Sequence, residues 1–249
     1  MDPIVQERIP YDVSGSHRLP GVRPLSMDQV MVRDEAFAGQ MAERDRVLQT
    51  RRHDVVALQD GAKAAADELL DLVLNLAYPA QAGAAVVRRP DTKSVSIDRT
   101  DPLGTVGRLV QEDFCILQKQ GDEHVLTGAV LCFPASWMLS EKIGRPLTDI
   151  HMPVDGYDPG VATRVQRLFD GVQPGRPMWR FNVLRYNDPD LHQPRSQYAR
   201  RGDQSDKNAK YIRSERQVIL RLPETRAVVF CIHTFVVFSC AGDYSTIPG

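Results

Sequence analysis

Cysteine is scarce in this chain: Cys115, Cys132, Cys231 and Cys240 are the four among 249 residues. So few thiols, so widely spaced, exclude a disulfide framework, and no Cys-x-x-Cys pair suggests a zinc ribbon or a redox motif. Three of them lie in or beside apolar runs, where a free thiol behaves as a small hydrophobe. The expectation is a reduced, cytoplasmic protein. Long apolar runs are also missing. None approaches the roughly 18 residues that a spanning helix needs, and the opening MDPIVQERIPYDV lacks a basic-then-apolar leader pattern, so no membrane partner is expected. Charge of one sign is missing too. Lys plus Arg number 31 against 32 Asp plus Glu, a formal net charge of -1, which gives no bulk reason to expect nucleic acid. The familiar phosphate and nucleophile motifs are absent: no G-x-x-x-x-G-K-[ST], no G-x-G-x-x-G after a strand, no G-x-S-x-G and no H-E-x-x-H. The six histidines (17, 53, 124, 151, 192, 233) are dispersed, so a zinc triad would have to draw on three separate segments.

What remains is ordinary globular composition, 42% hydrophobic and 25% charged, in a chain long enough for a sizeable core. Residues 1–26 are interrupted by proline and glycine, carry no sustained period and read as an extended arm. Residues 27–249 read as one domain. Apolar residues at helical spacing predict helices over Asp34–Gln49 (Phe37, Met41, Leu48) and Ala62–Leu76 (Ala66, Leu69, Leu70, Val73, Leu74). Residues 86–112 are mixed and polar, with a turn at Asp101-Pro102-Leu103-Gly104. Asp113–Lys119 and His124–Phe133 read as a hairpin. Ser136 is placed to cap a short helix over Trp137–Ile143, and Asp158-Pro159 opens a further helix carrying Val161, Val165, Leu168, Phe169 and Val172. Met178–Tyr186 reads as a strand and Gln193–Lys210 as a long loop. Gln217–Leu222 and Ala227–Phe238 read as a second hairpin. Helices early and antiparallel strands late predict an α+β fold with helices packed on a sheet.

Several residues in this frame are chemically suggestive, each with a plain alternative. His151, in Asp149-Ile150-His151-Met152-Pro153-Val154, sits where proline restricts the chain, which suits a metal ligand but equally a capping or core histidine. Arg180 and Asn182 share one face of a strand, with Trp179 and Phe181 on the other. If buried they need partners, and a ligand carboxylate or a structural aspartate would serve Arg180. Arg213, Glu215 and Gln217 also share a face, either as the wall of a polar site or as an Arg–Glu pair. His233, within an apolar strand, reads as a core histidine satisfied by a carbonyl. Arg195–Arg221 holds eight Lys or Arg against three Asp or Glu, either a solvated face or a surface for an acidic partner.

Three blocks resemble a known family in order and spacing. They are Trp137-x4-Lys142-Ile143-Gly144-Arg145-Pro146-Leu147-x2-Ile150-His151-x-Pro153-Val154, then Trp179-Arg180-x-Asn182, then Arg213-x-Glu215-x-Gln217-x2-Leu220-Arg221-Leu222-Pro223 running into Ile232-His233-Thr234-Phe235. Together they resemble the haem subunit of haem-dependent oxidative N-demethylases of the dimethylamine monooxygenase type, over about residues 20–238. The resemblance implies a PAS-like core binding haem b. It also implies dioxygen activation and conversion of a small secondary amine to a primary amine and formaldehyde. Electrons would come from NADPH through a separate reductase carrying FMN and a 2Fe-2S cluster. By position it implies His151 as axial ligand to the haem iron, with His233 as its competitor, Arg180 and Arg213 on the haem propionates, and Glu215 on the substrate ammonium. Val183 stands where the family pattern has an aromatic after Arg-x-Asn, and Asp155 where it has another proline. The resemblance therefore implies an amine class rather than one amine. The function class set against this one is a non-catalytic PAS-like module that binds or senses haem or another small ligand.

Overall fold

In a computed structural model of the chain, residues 2–13, 21–151, 159–196, 198–199 and 208–240 are described. They show an α+β fold built on a seven-stranded sheet of order β1-β7-β8-β9-β5-β6-β2, in which every neighbouring pair is antiparallel. Its strands are β1 (Arg23–Pro24), β2 (Val56–Leu58), β5 (Asp113–Gln120), β6 (Glu123–Val130), β7 (Met178–Tyr186), β8 (Tyr211–Arg221) and β9 (Val228–Phe238). A separate two-stranded ribbon pairs β3 (Val86–Arg88) with β4 (Ser94–Ser96). The helices are α1 (Phe37–Thr50), α2 (Arg52–Val55), α3 (Lys63–Ala77), α4 (Pro102–Leu109), α5 (Leu139–Lys142), α6 (Leu147–His151) and α7 (Pro159–Gly171). None of the helices among the described residues is long and apolar enough to cross a membrane.

Strand alternation gives the sheet two different faces. One carries Phe114, Ile116, Val130, Val218, Leu220, Val229 and Cys231, all buried against the apolar stripes of α1, α3 and α4. Towards the β7–β8–β9 end of that face, Ile9, Tyr11 and Val13 of the N-terminal arm pack on Phe181, Ile212, Phe235 and Val237. Gln6 anchors the arm along β9, its N–H donating to the Val236 carbonyl and its Oε1 accepting the Val236 N–H, both at 2.8 Å. The opposite face carries Cys115, Leu117, Leu126, Ala129, Ile219, Val228 and Ile232. It is covered by α5, α6 and α7 through Leu139, Leu147, Ile150 and Phe169, and by Val172 just after α7. At the β7–β8 end this second face turns polar.

The strand and helix expectations hold for α1, α3, α7, both long hairpins and β7, with some differences. Asp101-Pro102-Leu103-Gly104 starts helix α4 instead of making an isolated turn. Asp101 is the N-cap, its carboxylate accepting the Gly104 N–H at 3.1 Å, with proline in the first helical turn. Gly104, which made this stretch read as a turn, and Gly107 after it serve close packing. A Cβ on Gly107 would lie 2.7 Å from Val130 Cγ2 and 3.2 Å from Leu48 Cδ1. Ser136 does not cap a helix: it has φ +67, and α5 begins only at Leu139 behind Met138. Strand β8 begins at Tyr211, six residues before the expected start at Gln217; its first half is paired with β7 through the backbone, and its Arg, Ser and Glu side chains hide the strand pattern.

Candidate functional site

The polar end of the second face is built from two strands in register. Arg180 lies opposite Gln217, and Asn182 opposite Glu215. Directly opposed residues on antiparallel strands share a face, so all four side chains project to the side that α5, α6 and α7 cover further along. Glu215 and Gln217 are buried, while Arg180 and Asn182 are partly buried. Asn182 Nδ2 donates to Glu215 Oε2 at 2.8 Å, and Asn182 Oδ1 accepts the Glu215 backbone N–H at 3.0 Å. Gln217 Nε2 donates to the same Oε2 at 3.1 Å. Among the described residues Glu215 forms no ion pair with Arg213 or Arg216.

Arg180 is the unsatisfied cation of this face. Its Nε is buried with no acceptor, and no described residue accepts a hydrogen bond from its guanidinium. Burial pushes its pKa down and the attraction of nearby Glu215 pushes the other way; the net shift is downward. A guanidinium nitrogen buried without an acceptor is costly unless an anion reaches it.

Arg213 also lies on this face, but its terminal nitrogens are already committed. They donate to the carbonyls of Phe133 at 2.7 Å, Leu191 at 3.0 Å and Asp190 at 3.3 Å. Its guanidinium also sits 5.7 Å from the centre of the Tyr186 ring. It ties the segment after β7 and the segment after β6 onto β8. The same two segments meet again where Gln193 and Ala135 form a bridge, and Ser196 Oγ donates to Glu141 of α5 at 2.6 Å.

His151 is the last residue of α6. Its side chain, and residues 152–158 with Asp155, lie outside the described residues. The backbone leading to it is held firmly. Lys142 Nζ donates to the Ile150 carbonyl at 2.7 Å, although Lys142 is buried and burial depresses its pKa. An ammonium against the final carbonyls of a helix is favoured by both hydrogen bonding and the helix dipole. Lys142 stands in the first block of the resemblance without a role, and a lysine at the end of a short helix beside apolar Leu139 and Ile143 is the signal that marks it. Gly144, with φ +78, turns the chain from α5 into α6 in a left-handed conformation that favours glycine.

His233 lies on the other face of the sheet. Its register partner is Arg216, whose side chain donates to the carbonyls of Val30 and Gln29 at 3.2 and 2.7 Å. The His233 ring is completely buried between two carboxylates, Nε2 to Asp34 Oδ2 at 3.0 Å and Nδ1 to Glu112 Oε1 at 3.2 Å. Burial alone would lower its pKa; the hydrogen bonds and charges of Asp34 and Glu112 outweigh that and raise it to about 9. The expectation of a neutral imidazole donating to a carbonyl is therefore corrected to an imidazolium bridging two acids. Both ring nitrogens are used, which leaves none for a metal in this arrangement.

A concavity of about 680 Å³ lies away from these residues, between Arg33, Tyr78 and Arg89. Arg89 there is paired with both Asp45 and Asp91. A family model described as haem-dependent oxidative N-demethylase, alpha subunit-like, matches residues 21–239.

Proposed function

The chain belongs to the haem-dependent oxidative N-demethylase, alpha subunit-like family, and from that premise we propose that it is the haem-binding subunit of an oxygenase that N-demethylates a small secondary amine of the dimethylamine kind. The products are a primary amine and formaldehyde. The family description carries haem dependence and the status of one subunit among others. The cofactor is haem b, and a partner reductase using NADPH, FMN and a 2Fe-2S cluster supplies the electrons. A PAS-like core is supported by the strand order β7-β8-β9-β5-β6, with α5, α6 and α7 inserted in the chain between β6 and β7.

The observation that carries the reading is Arg180, a partly buried cation whose guanidinium has no acceptor among the described residues, on a polar face that also presents a carboxylate. A haem propionate would supply what its guanidinium lacks. His151 would hold the iron, its position set by the Lys142 bond to Ile150. Arg213, engaged with three carbonyls, keeps the wall of the site in place. Bound here, haem supplies the activation of dioxygen. Glu215 accepts an N–H of the substrate ammonium and orients it. The apolar side chains under α5, α6 and α7 keep water from the neighbouring face.

The test is amine-dependent formaldehyde formation by the haem-loaded protein with a flavin and iron–sulfur reductase, NADPH and dimethylamine. Formaldehyde in proportion to NADPH consumed supports the reading. NADPH oxidation without formaldehyde, across a series of small secondary amines, contradicts it.

A further inference from the structure

Two buried carboxylates among the described residues are held through one oxygen: Glu112, whose Oε1 takes the Val32 N–H and the His233 ring while its Oε2 is buried without a partner, and Glu215, whose unpartnered oxygen is not sealed off in that way. Asp113 is satisfied on both oxygens: Oδ1 takes Arg44 and the Cys132 N–H at 2.7 Å each, and Oδ2 takes the Phe133 N–H at 2.8 Å. That is the pattern of a structural acid. On Glu215 both donors, Asn182 Nδ2 and Gln217 Nε2, converge on Oε2, and no described residue donates to Oε1. Asn182 also fixes the backbone beneath it by accepting the Glu215 N–H. The amide is thus a two-point clamp across the β7–β8 register. Arg180, diagonal to Glu215 in that register, is within its electrostatic reach but forms no ion pair with it.

We propose that Asn182 and Gln217 are positioning residues that hold the Glu215 carboxylate with Oε1 free, and that this oxygen is a preset acceptor for one N–H of a small dialkylammonium ion. The inference rests on the amine-oxidising reading above and adds how the amine is recognised. A carboxylate whose rotamer is already fixed loses little freedom on binding. A charge-assisted N–H···O bond is roughly twice as strong as a neutral one. One free oxygen favours a cation that carries an N–H over one that carries charge alone, such as tetramethylammonium.

Calorimetric titration of the haem-loaded protein with dimethylammonium chloride and with tetramethylammonium chloride tests this. Dimethylammonium is expected to bind about tenfold or more tightly than tetramethylammonium, a ratio in the range of one charged hydrogen bond. Glu215→Gln should erase that preference. Asn182→Ala should weaken dimethylammonium binding about tenfold in the wild-type background and have no further effect in the Glu215→Gln background, a coupling that a merely structural asparagine would not show. Asn182→Ser, which keeps a short donor and acceptor, should recover part of the loss. If Asn182→Ala fails to fold, Gln217→Leu reads the same clamp through its second donor. Unchanged affinity in Asn182→Ala or, failing that variant, in Gln217→Leu overturns the proposal, as does an undiminished effect of Asn182→Ala when Glu215 is already Gln. A haem-loaded protein that forms formaldehyde from dimethylamine yet shows no preference for dimethylammonium over tetramethylammonium overturns this inference alone. A protein that takes up no haem overturns the functional reading instead.

Discussion

Arg180 and His233 lie on opposite faces of one sheet, two strands apart, and only Arg180 faces the side that α6 helps to cover. The two histidines offered by the family resemblance therefore make different predictions. His151→Ala should abolish or greatly weaken haem retention with little change in folding stability. His233→Ala should leave the buried Glu112 and the partly buried Asp34 without their cation and lower stability by about 3–5 kcal/mol, while the remaining folded protein still takes up haem. Haem content per chain and denaturant unfolding of both variants check this. Haem loss confined to His233→Ala would move the ligand to the other face.

The two arginines of the polar face should also part company. Arg180→Ala removes a cation that no described residue uses, so haem retention should fall while the melting temperature holds. Arg213→Ala leaves three carbonyls without their donor and should lower stability by about 2–4 kcal/mol. Unfolding midpoints and haem content, measured on the same preparations, decide between the roles.

Much of this fold could be read from period alone, and the reasons for the exceptions are physical. The stripes of α1, α3 and α7 and the two long hairpins carry their burial pattern locally. Helix α4 does not, because Gly104 and Gly107 are there for close contact and weaken the helical signal. The β3–β4 ribbon is three residues to a strand, too short for a period. In the site, alternation already put Arg180 with Asn182 and Glu215 with Gln217. What it could not supply was the β7–β8 register that sets Asn182 against Glu215, because residues 187–210 separate the strands. The partners of His233 are more distant still, 199 and 121 residues away.

The His233 cluster predicts a pH dependence. Its folded pKa of about 9 lies above the ordinary 6.5, so its stabilising contribution is complete below about 6.5 and is lost as pH rises through about 9. Asp34 shifts the other way: burial would raise its pKa, the His233 hydrogen bond and charge prevail, and the net value is lowered from 3.8. Its contribution is present above 3.8 and is lost as pH falls. Melting temperature against pH should decline on the alkaline side, and His233→Gln should flatten that decline.

Packing at α4 gives a test independent of the site. Gly107→Ala places a methyl 2.7 Å from Val130 Cγ2 beneath the sheet. It should cost about 1–3 kcal/mol without altering the affinity for haem at temperatures where the variant stays folded. Thermal unfolding with a haem titration measures both.

The central claim is that haem sits on the polar face beside Arg180, and the most direct measurement is the absorption spectrum of the wild-type protein and Arg180→Ala, purified with haem precursor supplied, before and after dithionite. The account predicts a Soret band that shifts on reduction in the wild type and is much diminished in a folded Arg180→Ala. A wild-type protein that is colourless and takes up no added hemin would contradict it.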